Sequence, residues 1–334
     1  MTTLITSLGA ALRQAAVQAT LAPSVHNTQP WRLVLEPRRL SLFADPSRRL
    51  PVLDPTGRQL HISCGAALFN ARVSLSTTAF APLTALLPDP RDPELLATLT
   101  GEPQPAGVST DAVAALEPYL ERRRSNRRHF TDEPVPGELV ETLRQAADAE
   151  GAALVAITDE DDRVAVAVLS QRADAIQNAD PAYRAELRAW TTDDPRRDDG
   201  VPAEAIPHFQ ADSHDEVPIR DFDTHGHGQL PGRTESHRHQ CLLLLGSEQD
   251  RPYDWLRTGQ ALERVLLEVT RAGLAVSPLT QPIEVPSVRA QLREQLRLRM
   301  YPHVLLRVGR AAPTPAPRRR RLVETLTYTG YREA

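Results

Sequence analysis

The sequence predicts a mixed α+β protein built as two halves on one loose plan. Three observations lead there. The chain has 334 residues, enough for two ordinary domains or one large bilobal unit. Helical apolar stripes and short strand-like runs recur in both halves in a similar order. A Pro- and Gly-rich stretch at residues 101–109 separates the halves and reads as a linker.

The elements follow in order. Residues 3–21 form an Ala/Leu helix, with Leu8, Leu12, Ala15 and Ala19 at helical spacing, ended by Pro23. Residues 31–35 and 40–43 alternate as two short strands around the turn-like Glu36-Pro37-Arg38-Arg39. Asp54-Pro55-Thr56-Gly57 is a turn, a helix rich in small residues spans 60–77, and 83–87 is a strand closed by Pro88-Asp89-Pro90. In the second half, Leu139, Leu143, Ala146 and Ala147 mark a helix and 153–157 a strand. Helices cover roughly 160–190. The run 241–245 is continuously apolar, as in a buried strand. Leu262, Val265, Leu266 and Val269 form one helical stripe, and Gly273 sits where a C-terminal glycine belongs. Pro286 opens a further helix carrying Val288, Leu292 and Leu296. Residues 304–308 are the final strand, followed by a Pro/Arg-rich tail.

Composition narrows the function. Hydrophobic content of 41% allows a large core, filled mainly by aliphatic residues because aromatics are only 4%. A net charge of −4 argues against a nucleic-acid or anionic-membrane binder. All 39 basic residues are Arg, so any anion site must use planar guanidinium forks, which grip phosphate oxygens in pairs. Cys64 and Cys241 stand in separate apolar runs and read as free thiols in a reducing compartment. With no basic leader and no apolar run near membrane-spanning length, the expected location is the cytoplasm.

Two half-motifs about a hundred residues apart complement each other. The first is Pro23-Ser24-Val25-His26-Asn27-Thr28-Gln29-Pro30-Trp31; the second is Arg122-Arg123-Arg124-Ser125-Asn126-Arg127-Arg128-His129-Phe130. In extended backbone Arg123, Ser125 and Arg127 project to one side, two guanidiniums around a hydroxyl, which suits a phosphate. The same spacing also fits a solvated basic face, as does the tail run Arg318-Arg319-Arg320-Arg321. Ser24, Asn27 and Gln29 offer hydrogen bonds, although turn chemistry alone favours those residue types there. Joined, the two segments would wall one pocket for an anionic cofactor. Residues 191–239 form an acidic, irregular insertion, with ten Asp/Glu against three Arg in 191–223; such a long insertion is usually a lid or a disordered segment. Its His225-Gly226-His227 and His237-Arg238-His239 match no metal-ligand spacing, so no metal is expected. Phosphate-loop, dinucleotide and hydrolase-elbow motifs are absent from the sequence.

These segments together resemble the nitroreductase-like FMN oxidoreductases, and the whole length resembles their Acg-type branch. Residues 22–31 resemble the flavin-edge segment, 123–130 the phosphate and ribityl segment, Arg319-Arg320-Arg321-Leu322 the C-terminal phosphate contact, and 273–279 the loop facing the flavin ring. The resemblance implies a nitroreductase-like α+β fold in which two pseudo-symmetric halves mimic a homodimer. The halves would be 1–108, bearing the flavin-edge segment, and 109–334, bearing the phosphate and ribityl site with the lid-like insertion. It implies FMN as cofactor, NAD(P)H as transient reductant, and ping-pong hydride transfer to a nitroaromatic- or quinone-like small molecule. Arg123, Arg319 and Arg321 would hold the phosphate. Ser125 and Arg127 would reach the ribityl chain and ring edge, where a guanidinium stabilises negative charge. Pro23, Ser24 and Asn27 would line the opposite rim, with Leu279 and Thr280 facing the ring. The flavin carries the chemistry, so no catalytic acid or base is assigned. One chain would then be a monomer mimicking a dimer. The insertion motivates an alternative, a flavin-sequestering protein whose lid blocks substrate access.

Overall fold

The Ser7 hydroxyl accepts from the Ala10 amide (3.2 Å) and so caps the first helix, α1 (Leu8–Ala19). Its Ala11, Leu12, Ala15 and Ala16 are fully buried, a stripe at helical spacing against the first core. The computed structural model describes residues 7–104, 112–192, 194, 196–202, 220, 222 and 240–330. The first unit continues as β1 (Trp31–Glu36), β2 (Arg39–Ala44), α2 (Arg58–Ser76), β3 (Phe80–Leu86) and β4 (Leu95–Pro103). The second runs α3 (Gly137–Ala149), β5 (Ala153–Ile157), α4 (Glu160–Ala179), α5 (Pro181–Ala189), β6 (Thr191–Thr192), β7 (Val201–Pro202), β8 (Cys241–Ser247), α6 (Pro252–Arg271), β9 (Ala275–Pro278), α7 (Gln281–Glu284), α8 (Pro286–Gln295) and β10 (Tyr301–Gly309). The chain closes with α9 (Leu322–Thr325) and β11 (Leu326–Tyr328).

Both units follow one topology. In the first, the strands lie in the order β1-β2-β4-β3; in the second, β5-β8-β10-β9. Every neighbouring pair in these two runs is antiparallel. Each unit is helix–strand–strand–helix–strand–strand, and the second carries its extra helices between these elements. The units meet where α2 crosses α6. A Cβ placed on Gly65 would lie 2.2 Å from the Leu256 carbonyl oxygen, and one on Gly259 would lie 2.1 Å from that of Ile62. Each glycine thus faces the carbonyl three residues before the other, the reciprocal pattern of a two-fold contact. Only the lack of a side chain lets the backbones approach so closely. The first core fills the space between the first sheet and α1 and α2. Two further cores cover the faces of the second sheet, one beneath α3 and α6, the other beneath α4 and α8.

Three differences from the sequence reading concern the connections. Residues 101–103 belong to β4, paired with β3, rather than to a linker; residues 105–109 lie outside the described residues. The Pro/Arg-rich tail does not trail into solvent. It returns to the first unit, where β11 pairs parallel with β1 (Leu33↔Leu326). Of the insertion, 203–219, 221 and 223–239 lie outside the described residues, including both His-x-His pairs; its Arg220 and Phe222 reach the site below. Among the described residues no helix is long and apolar enough to cross a membrane, and no group of His, Cys, Asp and Glu is arranged to hold a metal ion. Cys64 and Cys241 are free.

Candidate functional site

The segment after α1 is held in a strained path. His26, Asn27 and Gln29 all have positive φ (48°, 54° and 49°), a region that costs non-glycine residues energy and concentrates at functional sites. Hydrogen bonds from distant parts of the chain keep it there. The Ser24 hydroxyl accepts from the Gln29 amide (2.9 Å). Asn27 donates to the Gly200 and Arg318 carbonyls (3.1 Å each), and Gln29 donates to that of Asp198 (2.8 Å). Arg319 donates to Asn27 Oδ1 (2.9 Å) and to the Leu21 and Ala22 carbonyls (2.9 and 3.0 Å) at the end of the first helix. The returning tail therefore braces the segment from behind.

The arginine segment is fixed as extended backbone beside β9. Ser125 bridges Val276 in parallel, the Asn126 amide donates to the Val276 carbonyl (2.8 Å), and Phe130 bridges Ala311. Phe130 and Asn126 are buried. Arg123, Ser125 and Arg127 alternate with Asn126 and all three line cavity walls.

Two adjoining cavities result. The larger takes Pro23, Ser24, Val25 and His26 from the first unit's loop and Gln59, Ile62 and Ser63 from α2. From the second unit come Leu262 and Leu266 on α6, the stretch 278–282, and Val304. The smaller is lined by Asn27, Arg123 and Arg319, by 200–202, and by the extended 314–317. Pro23, Ser24, Ser125 and Arg127 line both and so stand at the junction. One end is therefore a slot of mixed apolar and polar walls, and the other is a recess that holds Arg123 and Arg319.

Electrostatics separate the ends further. Arg123 is 2% exposed; its Nε lies 3.4 Å from Glu263 Oε1, and its Nε and Nη1 have no hydrogen-bond partner. Burial, then the neighbouring Arg123, holds Arg319 down to about 9, which leaves Arg319 charged at neutral pH. Glu263 is fully buried, and burial pushes its carboxyl up to about 7 against the pull of Arg123 and Arg319. The recess thus faces Arg123 and Arg319, with Arg127 at its junction and one carboxyl behind them, an excess of positive charge out of water. In the slot, burial and then Arg220 hold Arg127 down to about 10, and its guanidinium lies over the Phe222 ring (5.2 Å). His26 is 6% exposed, its Nε2 has no partner, and burial followed by Arg220 and Arg127 keeps it neutral. Gln59 Nε2 is likewise buried without a partner.

Nine of the ten residues singled out from the sequence line these two cavities: Pro23, Ser24, Asn27, Arg123, Ser125, Arg127, Leu279, Thr280 and Arg319. Arg321 does not. It is 75% exposed, pairs with Glu324 (3.1 Å) and lines a separate cleft with Arg48 and Asp199. The cause is local: α9 begins at Leu322, so the extended alternation stops and an i,i+3 pair takes over. Sequence reasoning did not single out His26, Gln59, Ser63, Arg220 and Phe222 as pocket residues. It assigned Leu262 and Leu266 to a core stripe, and here that stripe also forms the slot wall. Phe222 is 4% exposed and meets the His26 ring edge-on at 6.0 Å. Arg220 ties the insertion to Glu284 (2.6 Å) and to the Thr280 hydroxyl (3.2 Å).

Comparison with known proteins places the chain in a family. The model of the nitroreductase family matches residues 120–310. Two proteins of Mycobacterium tuberculosis (strain ATCC 25618 / H37Rv), each provisionally named an NAD(P)H nitroreductase, are similar along almost the whole chain. One is 35% identical over 324 residues, covering 95% of this chain and 91% of that protein. The other, of the Acg type, is 31% identical over 319 residues, covering 94% of each. Among solved structures, the FMN and NADPH-dependent nitroreductase of Sphigopyxis sp. strain HMH is 20% identical, covers 65% of this chain and 99% of its own, and has a TM-score of 0.40. This chain, α+β in architecture, belongs to the nitroreductase family.

Proposed function

We infer that this chain is an FMN-dependent NAD(P)H oxidoreductase of the nitroreductase type, passing electrons to a small nitroaromatic- or quinone-like acceptor. The observation that carries the reading is the junction of a slot with an aliphatic wall, Ile62, Leu262, Leu266 and Leu279, and a buried, net-positive recess, walled by both units. The fit to FMN rests on orphaned groups. Arg123 Nη1, Gln59 Nε2 and His26 Nε2 are buried polar atoms without hydrogen-bond partners, and such atoms are costly unless a ligand or water meets them. They suit a ligand with a planar apolar body, a polar ring edge and a phosphate at the far end. Arg123 and Arg319 would hold the phosphate, with Asn27 bracing Arg319. Ser125 and Arg127 would meet the ribityl chain and the ring edge, while Leu279 and Thr280 face the ring. When bound, FMN supplies the hydride chemistry; this chain's own residues bind it, orient it and set the field around it.

The repeated topology supports a fused-dimer reading, with units near 1–108 and 109–334, a single complete pocket, and a monomeric protein. Free cysteines fit a reducing, cytoplasmic setting. A second reading has an observation of its own. Phe222 and Arg220 already line the slot, Phe222 against His26 and Arg220 latched to Glu284, so the insertion would exclude substrates and the protein would sequester flavin. One experiment separates the two. Record the visible spectrum of the purified protein and add NADPH without oxygen. Bleaching of a yellow preparation is expected. A yellow protein that stays oxidised supports sequestration, and a colourless one that refuses added FMN removes both readings.

A further inference from the structure

Glu263 lines neither cavity and is fully buried one layer behind the recess. Its Oε1 lies 3.4 Å from Arg123 Nε. The Asn70 amide, with its nitrogen turned toward the carboxylate, donates to Oε1 (3.0 Å) and accepts from the Ala22 amide (3.2 Å). Oε2 has no hydrogen-bond partner. The positioning of Arg319 depends little on this carboxylate. Arg319 is anchored by the Leu21, Ala22 and Arg318 carbonyls and by Asn27, and Arg123 reaches the Leu21 carbonyl (3.4 Å). What Glu263 supplies is charge. A buried ion left without a counter-charge is strongly destabilising, and here two guanidiniums share one carboxylate, with Arg124 also contributing to the field at Arg319.

We propose that Glu263 is a resident counter-ion of the recess, standing in for ligand charge when the recess holds no phosphate and opposing a phosphate monoester when one arrives. The proposal rests on the flavin-phosphate reading for the identity of the ligand. Its consequence has a definite sign. The neutral, isosteric Glu263→Gln keeps the shape, removes the opposing charge and raises the affinity for a phosphate dianion. At about pH 8.5, where the Glu263 carboxyl is ionised, the short range and reduced dielectric of the recess make the gain on the order of tenfold.

The test uses the full chain and compares wild type with E263Q in titrations of FMN, riboflavin and inorganic phosphate, together with thermal melts. At about pH 8.5 the expected result is FMN binding about tenfold tighter in E263Q with riboflavin affinity unchanged, and a melting temperature that inorganic phosphate raises more in E263Q than in wild type. FMN affinity that is unchanged or weaker, with riboflavin unaffected, overturns the counter-ion role. If E263Q folds only when phosphate is present, and not in chloride of equal ionic strength, the proposal stands; if phosphate fails to rescue it, the proposal falls. A wild-type protein that binds FMN and riboflavin alike removes the flavin-phosphate reading instead. The counter-ion is then judged by whether inorganic phosphate raises the melting temperature of E263Q more than that of wild type.

Discussion

Arg123 is 2% exposed and keeps two guanidinium nitrogens without hydrogen-bond partners at the recess wall, whereas Arg321 is 75% exposed and paired with Glu324. The two arginines should therefore behave oppositely. Arg123→Ala removes a charge-assisted phosphate contact and should weaken FMN binding by roughly 10–150-fold without changing riboflavin affinity. Arg321→Ala should leave both affinities as they are. Fluorescence titration of the two flavins checks both, and a large loss at Arg321 would move the recess elsewhere. Acid sensitivity also belongs to single residues. His26 titrates well below 6.5 in the folded state, and burial with Arg289 holds His303 down to about 3. A depressed histidine adds stability above its unfolded pKa, and that stability is lost as pH falls below about 6.5. Glu263, raised to about 7, works the other way: its favourable contribution is present below its unfolded pKa and lost as pH rises through 7. Denaturant melts should therefore show lower stability at pH 5 than at 7.5, with the two histidines outweighing one carboxyl. His26→Asn, a residue tolerant of the left-handed backbone here, should shrink that acid loss. An undiminished loss would show that His26 is not kept neutral by the fold.

The α2–α6 crossing is the element on which the pocket depends. Gln59, Ile62 and Ser63 on α2 face Leu262 and Leu266 on α6 across the slot, and Gly65 and Gly259 set how close the helices lie. Gly259→Val should force them apart. Overpacking of this kind typically costs about 1–3 kcal/mol or more, which for a chain of this size lowers the melting temperature by several degrees. Flavin affinity should fall together with stability, as a calorimetric melt and an FMN titration would show; a wild-type melt would mean that the crossing gives way easily. The elements themselves were largely legible. The strand predicted at 153–157 coincides with β5, and the stripe Leu262, Val265, Leu266 and Val269 lies on α6 with Gly273 just beyond it at φ 72°. Such signals are local, because a periodic apolar face is written in neighbouring residues. β4 was missed although Ala97, Thr98, Leu99 and Thr100 alternate. Turn-forming Gly101 and Pro103 disguised its end, and only pairing with β3 decided the matter.

At the scale of the whole molecule, the two sheets repeat one strand order and the helices cross reciprocally, and the recess of Arg123 and Arg319 lies at one end of that arrangement. The fused-dimer reading accordingly expects a monomer near 36.9 kDa that binds one FMN. Sedimentation together with the flavin-to-protein absorbance ratio would test this; two flavins per chain would mean that the symmetry-related position also binds. The sequence by itself determined the residue types for an anionic ligand, the complementary placing of the polar and arginine segments, and most of the helices and strands. Tertiary structure alone decided that the tail returns to pair with β1 and brings Arg319 to Asn27. It also decided that Arg321 turns away and that Phe222 reaches His26. The reason is range. Propensity and periodicity act over a few residues, whereas these contacts join positions up to nearly three hundred residues apart, and their stability comes from burial that exists only once both units have folded.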